Sequence, residues 1–180
     1  MLPTGHIAAG FLTAYSIVKI ARPDLELSQI NQLLFFGAFF GFAPDLDEFY
    51  VFAKSRSWLV ASETTSLMHR KFFSHTPVLW VLGGLIIFLF TSGFIKLLGL
   101  IILFSSLSHF LLDSIEHGIM WLWPFSSKVY ALKDAGFNFL IKEKNFFKHS
   151  FQFLQIYTTR LSFYLEVLII LVAIFVSLNL

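Results

Sequence analysis

The hydrophobic positions of this chain fall in long unbroken runs rather than in the short alternations of a sheet protein. Three runs dominate: Pro77 to Gly93, Phe94 to Leu112 and Leu161 to Leu180. Each is close to the ~20 residues that a helix needs to cross about 30 Å of hydrocarbon. Two earlier runs, His6 to Ile20 and Ile30 to Ala43, are shorter. At about 1.5 Å per residue they reach only ~21–23 Å, enough to thin a bilayer or to lie part-way into it. The pattern predicts an all-α chain of four or five hydrophobic helices, one domain over residues 1–180.

Local chemistry marks the boundaries. Arg22-Pro23-Asp24 breaks the first helix and Ser28 is placed to cap the second. Pro44 ends the second, because a proline disfavours helical geometry at the residue before it. Thr76-Pro77 reads as the N-cap and first position of the third helix. Trp123-Pro124 ends the stretch after the fourth. From Phe125 to Arg160 lysines are interleaved with aromatics, which reads as a layer lying on a membrane surface.

Composition supports this reading. The chain is 57% hydrophobic, 18% aromatic and 13% charged, against about 25% charged in a typical soluble domain. Mean hydropathy is +0.76. These values exclude a disordered chain, a basic nucleic-acid-binding module and an ordinary soluble enzyme. They leave an integral membrane protein whose first partners are lipids. A net charge of +2 gives no reason to expect a polyanionic partner, and the absence of cysteine removes disulfides, thiolate catalysis and thiolate zinc sites.

Five antiparallel segments would alternate between two sides. The side holding the N-terminus, residues 44–76 and residues 113–160 carries ten of the 13 Lys and Arg; only Lys19, Arg22 and Lys96 fall elsewhere. By the positive-inside rule that side faces the cytoplasm, giving a multi-pass protein of the cytoplasmic (inner) membrane.

Ionisable groups at the ends of membrane helices are costly and mark function. Here His6 opens the first run, Asp45 and Asp47 follow the second, His69, Arg70 and His75 precede the third, and His109 and Asp113 end the fourth. All land on the cytoplasmic side. Each also has a plain structural explanation. Asp45 with Glu48 fits a capping pattern for a helix starting at Leu46, Asp47 a first-turn acid, His6 a polar helix start near lipid headgroups, and Arg70 and Lys71 interfacial anchors. The four-residue spacing of His109 and Asp113 puts both on one helical face, either as a metal clip or as a buried hydrogen-bonded pair. His69 and His75 stand about 240° apart on a continuous helix, so they converge only if the chain breaks between them.

Together these groups offer six or seven nitrogen and oxygen donors, enough for two divalent ions sharing a carboxylate. The set suits Zn, Mn or Fe. Such a pair can activate a water for phosphoester displacement, with Arg70 neutralising developing charge. Glu166, the one charge in the last run, is either a general base, a further ligand, or an interhelical hydrogen-bond partner.

Gly5-His6, Pro44-Asp45-Leu46-Asp47, His69-Arg70 with Ser74-His75-Thr76, Ser108-His109 with Asp113, and Gly118 to Trp123-Pro124-Phe125 occur in this order over residues 5–125. The ordered set resembles the YdjM-like family of membrane-bound metal-dependent hydrolases. That family is in turn similar to the zinc-dependent phospholipase C and single-strand nuclease superfamily. The resemblance implies that His6, Asp45, His69, His109 and Asp113 are metal ligands, Asp113 bridging, with His75 and Asp47 also in the motifs and Glu166 matching a C-terminal acid. It implies zinc, two or more ions, and hydrolysis of a phosphoester such as a lipid headgroup. Met68, the Lys71-Phe72-Phe73 link and Glu116-His117 depart from the family pattern. Two other functions use the same residues: a non-enzymatic scaffold stapled by a structural metal, and a cation transporter. The transporter would place its ionisable groups at mid-membrane, whereas these lie at helix ends.

Overall fold

A computed structural model describes residues 1–21, 24–55, 72–116, 118–133 and 146–180. Its elements are α1 (Pro3–Ala21), α2 (Leu27–Phe42), a 3-10 turn (Ala43–Leu46), α3 (Asp47–Ser55), a second 3-10 turn (Phe73–His75), α4 (Pro77–Phe90), α5 (Gly93–Asp113), α6 (Phe146–Tyr157) and α7 (Leu161–Leu178). Among the described residues there is one isolated antiparallel bridge, Ile119 with Tyr130, and no named strand.

The helices differ in length from the hydrophobic runs. α1 starts at Pro3 and spans 19 residues, more than its apolar run. α4 stops at Phe90 after 14 residues, where Thr91 and Ser92 leave helical geometry. It is therefore about 21 Å long, short of the span expected for Pro77 to Gly93. α5 and α7 are, among the described residues, the two helices long and apolar enough to cross a membrane. The cap of α2 is Glu26, whose side chain pairs reciprocally with Gln29, and Ser28 lies inside the helix instead. Thr76 and Pro77 do occupy the N-cap and first position of α4, but the Thr76 hydroxyl donates to the Phe73 carbonyl at 2.5 Å rather than accepting from α4.

α1, α2 and α5 pack around Ala14, Val18, Leu33, Leu34 and Ile101. The α1–α2 crossing is backbone against backbone. A Cβ at Gly10, Gly37 or Gly41 would strike main chain of the facing helix, and at Gly41 the nearest atom is the His6 carbonyl oxygen. Gly37-Ala-Phe-Phe-Gly41 is a small-xxx-small interface, which drives helix association where lipid removes the hydrophobic incentive. Gly84 and Gly99 allow the same close approach between α4 and α5.

One end of the interior is polar, around His6, His75, His109 and Asp113, while the exterior carries many large apolar side chains. α1 buries Gly5, His6, Ala8, Ala9, Gly10, Ala14 and Val18. α7 exposes Leu168, Leu171 and Phe175, and α4 exposes Ile86 and Leu89. A soluble bundle has the opposite arrangement, and exposed apolar surface on this scale needs a covering such as lipid. Residues 114–116 and 118–133 fold back over the end of α5: the Leu132 amide donates to Ser114 O at 2.7 Å and Lys133 to Ile115 O at 2.9 Å. Beyond them, Lys142 and Lys144 of the expected surface layer lie outside the described residues, and α6 presents Phe147, Phe151 and Leu154 outward along one face.

Candidate metal centre

The starts of α1, α4 and α7 and the ends of α2 and α5 meet at one end of the bundle. Pro44 has no N–H to continue the ladder of α2, and the chain tightens into the 3-10 turn. That turn carries Asp45 inward, so Asp45 is not the cap of a helix starting at Leu46; α3 begins at Asp47. The Phe73–His75 turn breaks the chain ahead of α4 and swings His75 toward α5. His6 arrives in the first turns of α1, and His109 and Asp113 lie one turn apart on the inner face of α5. His6, His75 and His109 are fully buried, and Asp45, Asp47 and Asp113 nearly so.

Two overlapping groups result: His6, Asp45 and His109, and His75, His109 and Asp113. Within each, the potential donor atoms lie within 4.8 Å of one another. Asp113 bridges them, Oδ1 standing 3.2 Å from His6 Nε2 and Oδ2 3.7 Å from His75 Nε2. His109 Nε2 is 3.6 Å from Asp45 Oδ1 and 3.4 Å from His75 Nε2. The Met1 nitrogen also lies 2.8 Å from Asp113 Oδ1.

The tautomers follow from the main chain. His109 Nδ1 is 2.9 Å from Gly41 O, and His75 Nδ1 is 3.2 Å from Pro44 O. A carbonyl oxygen only accepts, so each Nδ1 carries the hydrogen and each neutral ring turns an Nε2 lone pair inward. Two lone pairs and the oxygens of Asp45 and Asp113 then face one another in a buried site. Such an arrangement favours a cation, and the Met1 ammonium meets part of that need at Asp113 Oδ1. Donors 2.0–2.1 Å from a tetrahedral ion stand about 3.3–3.4 Å apart, close to the spacings found here. Backbone acceptors on the far ring nitrogens are also the usual support for metal-bound histidines. The donor set therefore fits a divalent metal.

A proton is the smallest cation that meets the same need. Burial opposes a charge on His75, but hydrogen bonding to Asp113 and Asp47, with the added field of Asp47 and Asp45, outweighs it and raises the ring to about 9. Asp47 stands beside this group. Its Oδ2 accepts from Ser74 Oγ at 3.1 Å and lies 3.4 Å from His75 Nδ1. Its buried Oδ1 has no hydrogen-bond partner among the described residues.

Glu166 is built differently. Its carboxylate accepts from Thr4 Oγ1 at 2.6 Å, Gly5 N at 3.1 Å, Leu2 N at 3.2 Å and the Tyr157 hydroxyl. It thus caps the N-terminus of α1 from another helix, and a Cβ at Gly5 would come within 2.9 Å of its Cγ. Glu116 ties the segment after α5 to α7, accepting from Ser162 Oγ at 2.6 Å. Neither acid belongs to the two donor groups. His69, Arg70 and His117 lie outside the described residues. Two contributors were not singled out from the sequence, the glycines Gly37 and Gly41, and Ser74, part of a quoted motif, was given no role. The glycine pair has a readable signal, its GxxxG spacing.

No curated protein and no solved structure is significantly similar to the chain. The model of one family, described as YdjM inner membrane protein, matches residues 1–179. The chain belongs to the YdjM inner membrane protein family.

Proposed function

We propose that the protein is a multi-pass, membrane-embedded, metal-dependent hydrolase of phosphoesters, its site at the cytoplasmic ends of the helices. One observation carries the reading: main-chain carbonyls fix the Nδ1 hydrogens of His75 and His109, so that their Nε2 lone pairs converge with Asp45 and Asp113. His6, Asp45 and His109 would hold one ion. Since an Nε2 lone pair serves one ion, a second would take His75 and Asp113 with a further donor, for which His69 is the candidate. Zinc suits the set, as do manganese and iron.

When bound, such an ion supplies Lewis acidity toward a phosphoryl oxygen and acidifies a water molecule. The chain's own groups do the rest. Asp47, with one oxygen uncommitted among the described residues, accepts a proton and orients the attacking water. Arg70 neutralises charge on the phosphoryl group. Glu166 holds the start of α1, and with it His6, in place; it is a positioning residue rather than a base. The resemblance to zinc-dependent phospholipases and nucleases supports the same chemistry, and the lysine and arginine bias supports the cytoplasmic orientation.

A structural staple is the second reading, favoured by the near-complete burial of the donors. Structural sites are closed and catalytic ones keep an open position. Turnover of phosphomonoesters and phosphodiesters by the full chain, purified in detergent and loaded with zinc or manganese, tests the proposal. Metal-dependent hydrolysis that falls about 100-fold or more in Asp47→Asn, with metal content kept, supports it. Stoichiometric metal without turnover on either ester class assigns the staple.

A further inference from the structure

The Phe73–His75 turn is held through its main chain as well as through its side chains. In a continuous helix the Ser74 carbonyl would accept from the amide of Val78. Thr76 is extended, at φ −120° and ψ 134°, and Pro77 starts a new helix, so that partner is lost. The indole of Trp80, in the first turn of α4, takes its place: Nε1 donates to Ser74 O at 2.7 Å. The other polar group of the same peptide unit, the His75 amide, donates to Phe72 O at 3.0 Å. A peptide unit is planar, so bonds at both of its ends fix the direction in which the His75 side chain leaves the backbone. The indole is itself backed by Phe40, edge-to-face at 6.1 Å between ring centroids.

The ring of His75 is also gripped by Pro44 O and Asp47, and the Ser74 hydroxyl by Asp47 Oδ2. Those contacts act on side chains, whereas the Trp80 bond acts on the backbone that carries both of them. Phe40 and Gly41 are neighbours in the last turn of α2, and Gly41 O accepts from His109 Nδ1 at 2.9 Å. One turn of α2 thus backs both rings, directly for His109 and by way of Trp80 for His75. Their Nε2 atoms stand 3.4 Å apart. We propose that Trp80 is the positioning residue of His75: its indole N–H holds the Ser74–His75 peptide in the orientation that delivers the ring to the donor cluster. The consequence for metal binding rests on the metal-dependent reading, whereas the position of His75 can be read without metal.

Two substitutions separate the hydrogen bond from the aromatic packing. Trp80→Phe keeps a ring beside Phe40 and removes the N–H. Trp80→Gln loses the ring and places an N–H at the same number of bonds from Cα. In the metal-free full chain in detergent, carbethoxylation of each histidine by diethyl pyrocarbonate is followed by peptide mass spectrometry. His75 and His109, both fully buried, should be protected in wild type. Trp80→Phe should speed the reaction at His75 about tenfold, the opening expected from one lost hydrogen bond, with His109 as protected as before. Trp80→Gln should stay within about threefold of wild type. Zinc affinity of the full chain should follow the same order, weakest in Trp80→Phe by about tenfold. Unchanged His75 protection in Trp80→Phe, equal acceleration at His75 and His109, or a greater loss in Trp80→Gln than in Trp80→Phe would overturn the proposal. Protection of His75 that follows the N–H donor in a chain that binds no zinc would uphold it and overturn the metal reading.

Discussion

Two buried acidic regions lie within a few residues of each other on α1, and they are constructed in opposite ways. At Glu166, four donors surround one carboxylate: two backbone amides and two hydroxyls. At the His/Asp cluster, the Nδ1 hydrogens of His75 and His109 turn away to Pro44 and Gly41, and the Nε2 atoms converge on Asp45 and Asp113, where the Met1 ammonium donates to Asp113. A buried charge whose donors are all present is a structural device, costly to remove and with nothing left to bind. A buried set of converging imidazole nitrogens and carboxylate oxygens is stabilised by a cation among them. The comparison separates the residue that organises the site from those that would bind in it.

Substitutions should break the two regions differently. His109→Ala removes a ligand of the ion held with His6 and Asp45 and should lower bound metal by about one ion per chain, as elemental analysis of the purified protein would read. Glu166→Ala strands buried donors at the start of α1 and should cost about 3 kcal/mol of stability in thermal unfolding in detergent. At saturating metal its content should nonetheless persist, with Glu166→Gln recovering part of the stability. Gly41→Ala forces a methyl group against the His6 carbonyl; a loss of about 1–3 kcal/mol is expected, together with weakened metal binding because His6 shifts.

The smallest effect is a pH dependence in the metal-free protein. The His75 value is raised from 6.5 to about 9 in the fold, so its proton adds stability that is fully present below about pH 6.5 and fades as pH rises through 9. A metal must displace that proton. Affinity should therefore weaken about tenfold per unit as pH falls below 9, measurable by competition with a chelator. A flat profile would mean that His75 is not among the ligands.

Much of the convergence is legible in the sequence, because consecutive antiparallel helices bring alternate ends to the same end of a bundle. His6, Asp45, His75, His109 and Asp113 each stand at the end of a hydrophobic run, and alternation alone puts those ends together. Pro44 and Pro77 mark the breaks that turn Asp45 and His75 inward. The reach of each helix is less legible: the run from Pro77 to Gly93 continues past the point where Thr91 and Ser92 become extended. Least legible is Glu166. Its partners lie more than 160 residues away at Leu2, Thr4 and Gly5, and a lone acid in an apolar run does not disclose which amides will approach it. The Glu26–Gln29 cap similarly displaced Ser28, since reciprocal pairing satisfies two groups where a serine satisfies one.

The most direct test of the central claim is the metal stoichiometry of the detergent-purified full chain after zinc loading and removal of loose ions, compared between wild type, His109→Ala and Glu166→Gln. At least one tightly held ion is expected in wild type and in Glu166→Gln, and about one fewer in His109→Ala. Equal metal in wild type and His109→Ala, or none in wild type, would contradict that claim.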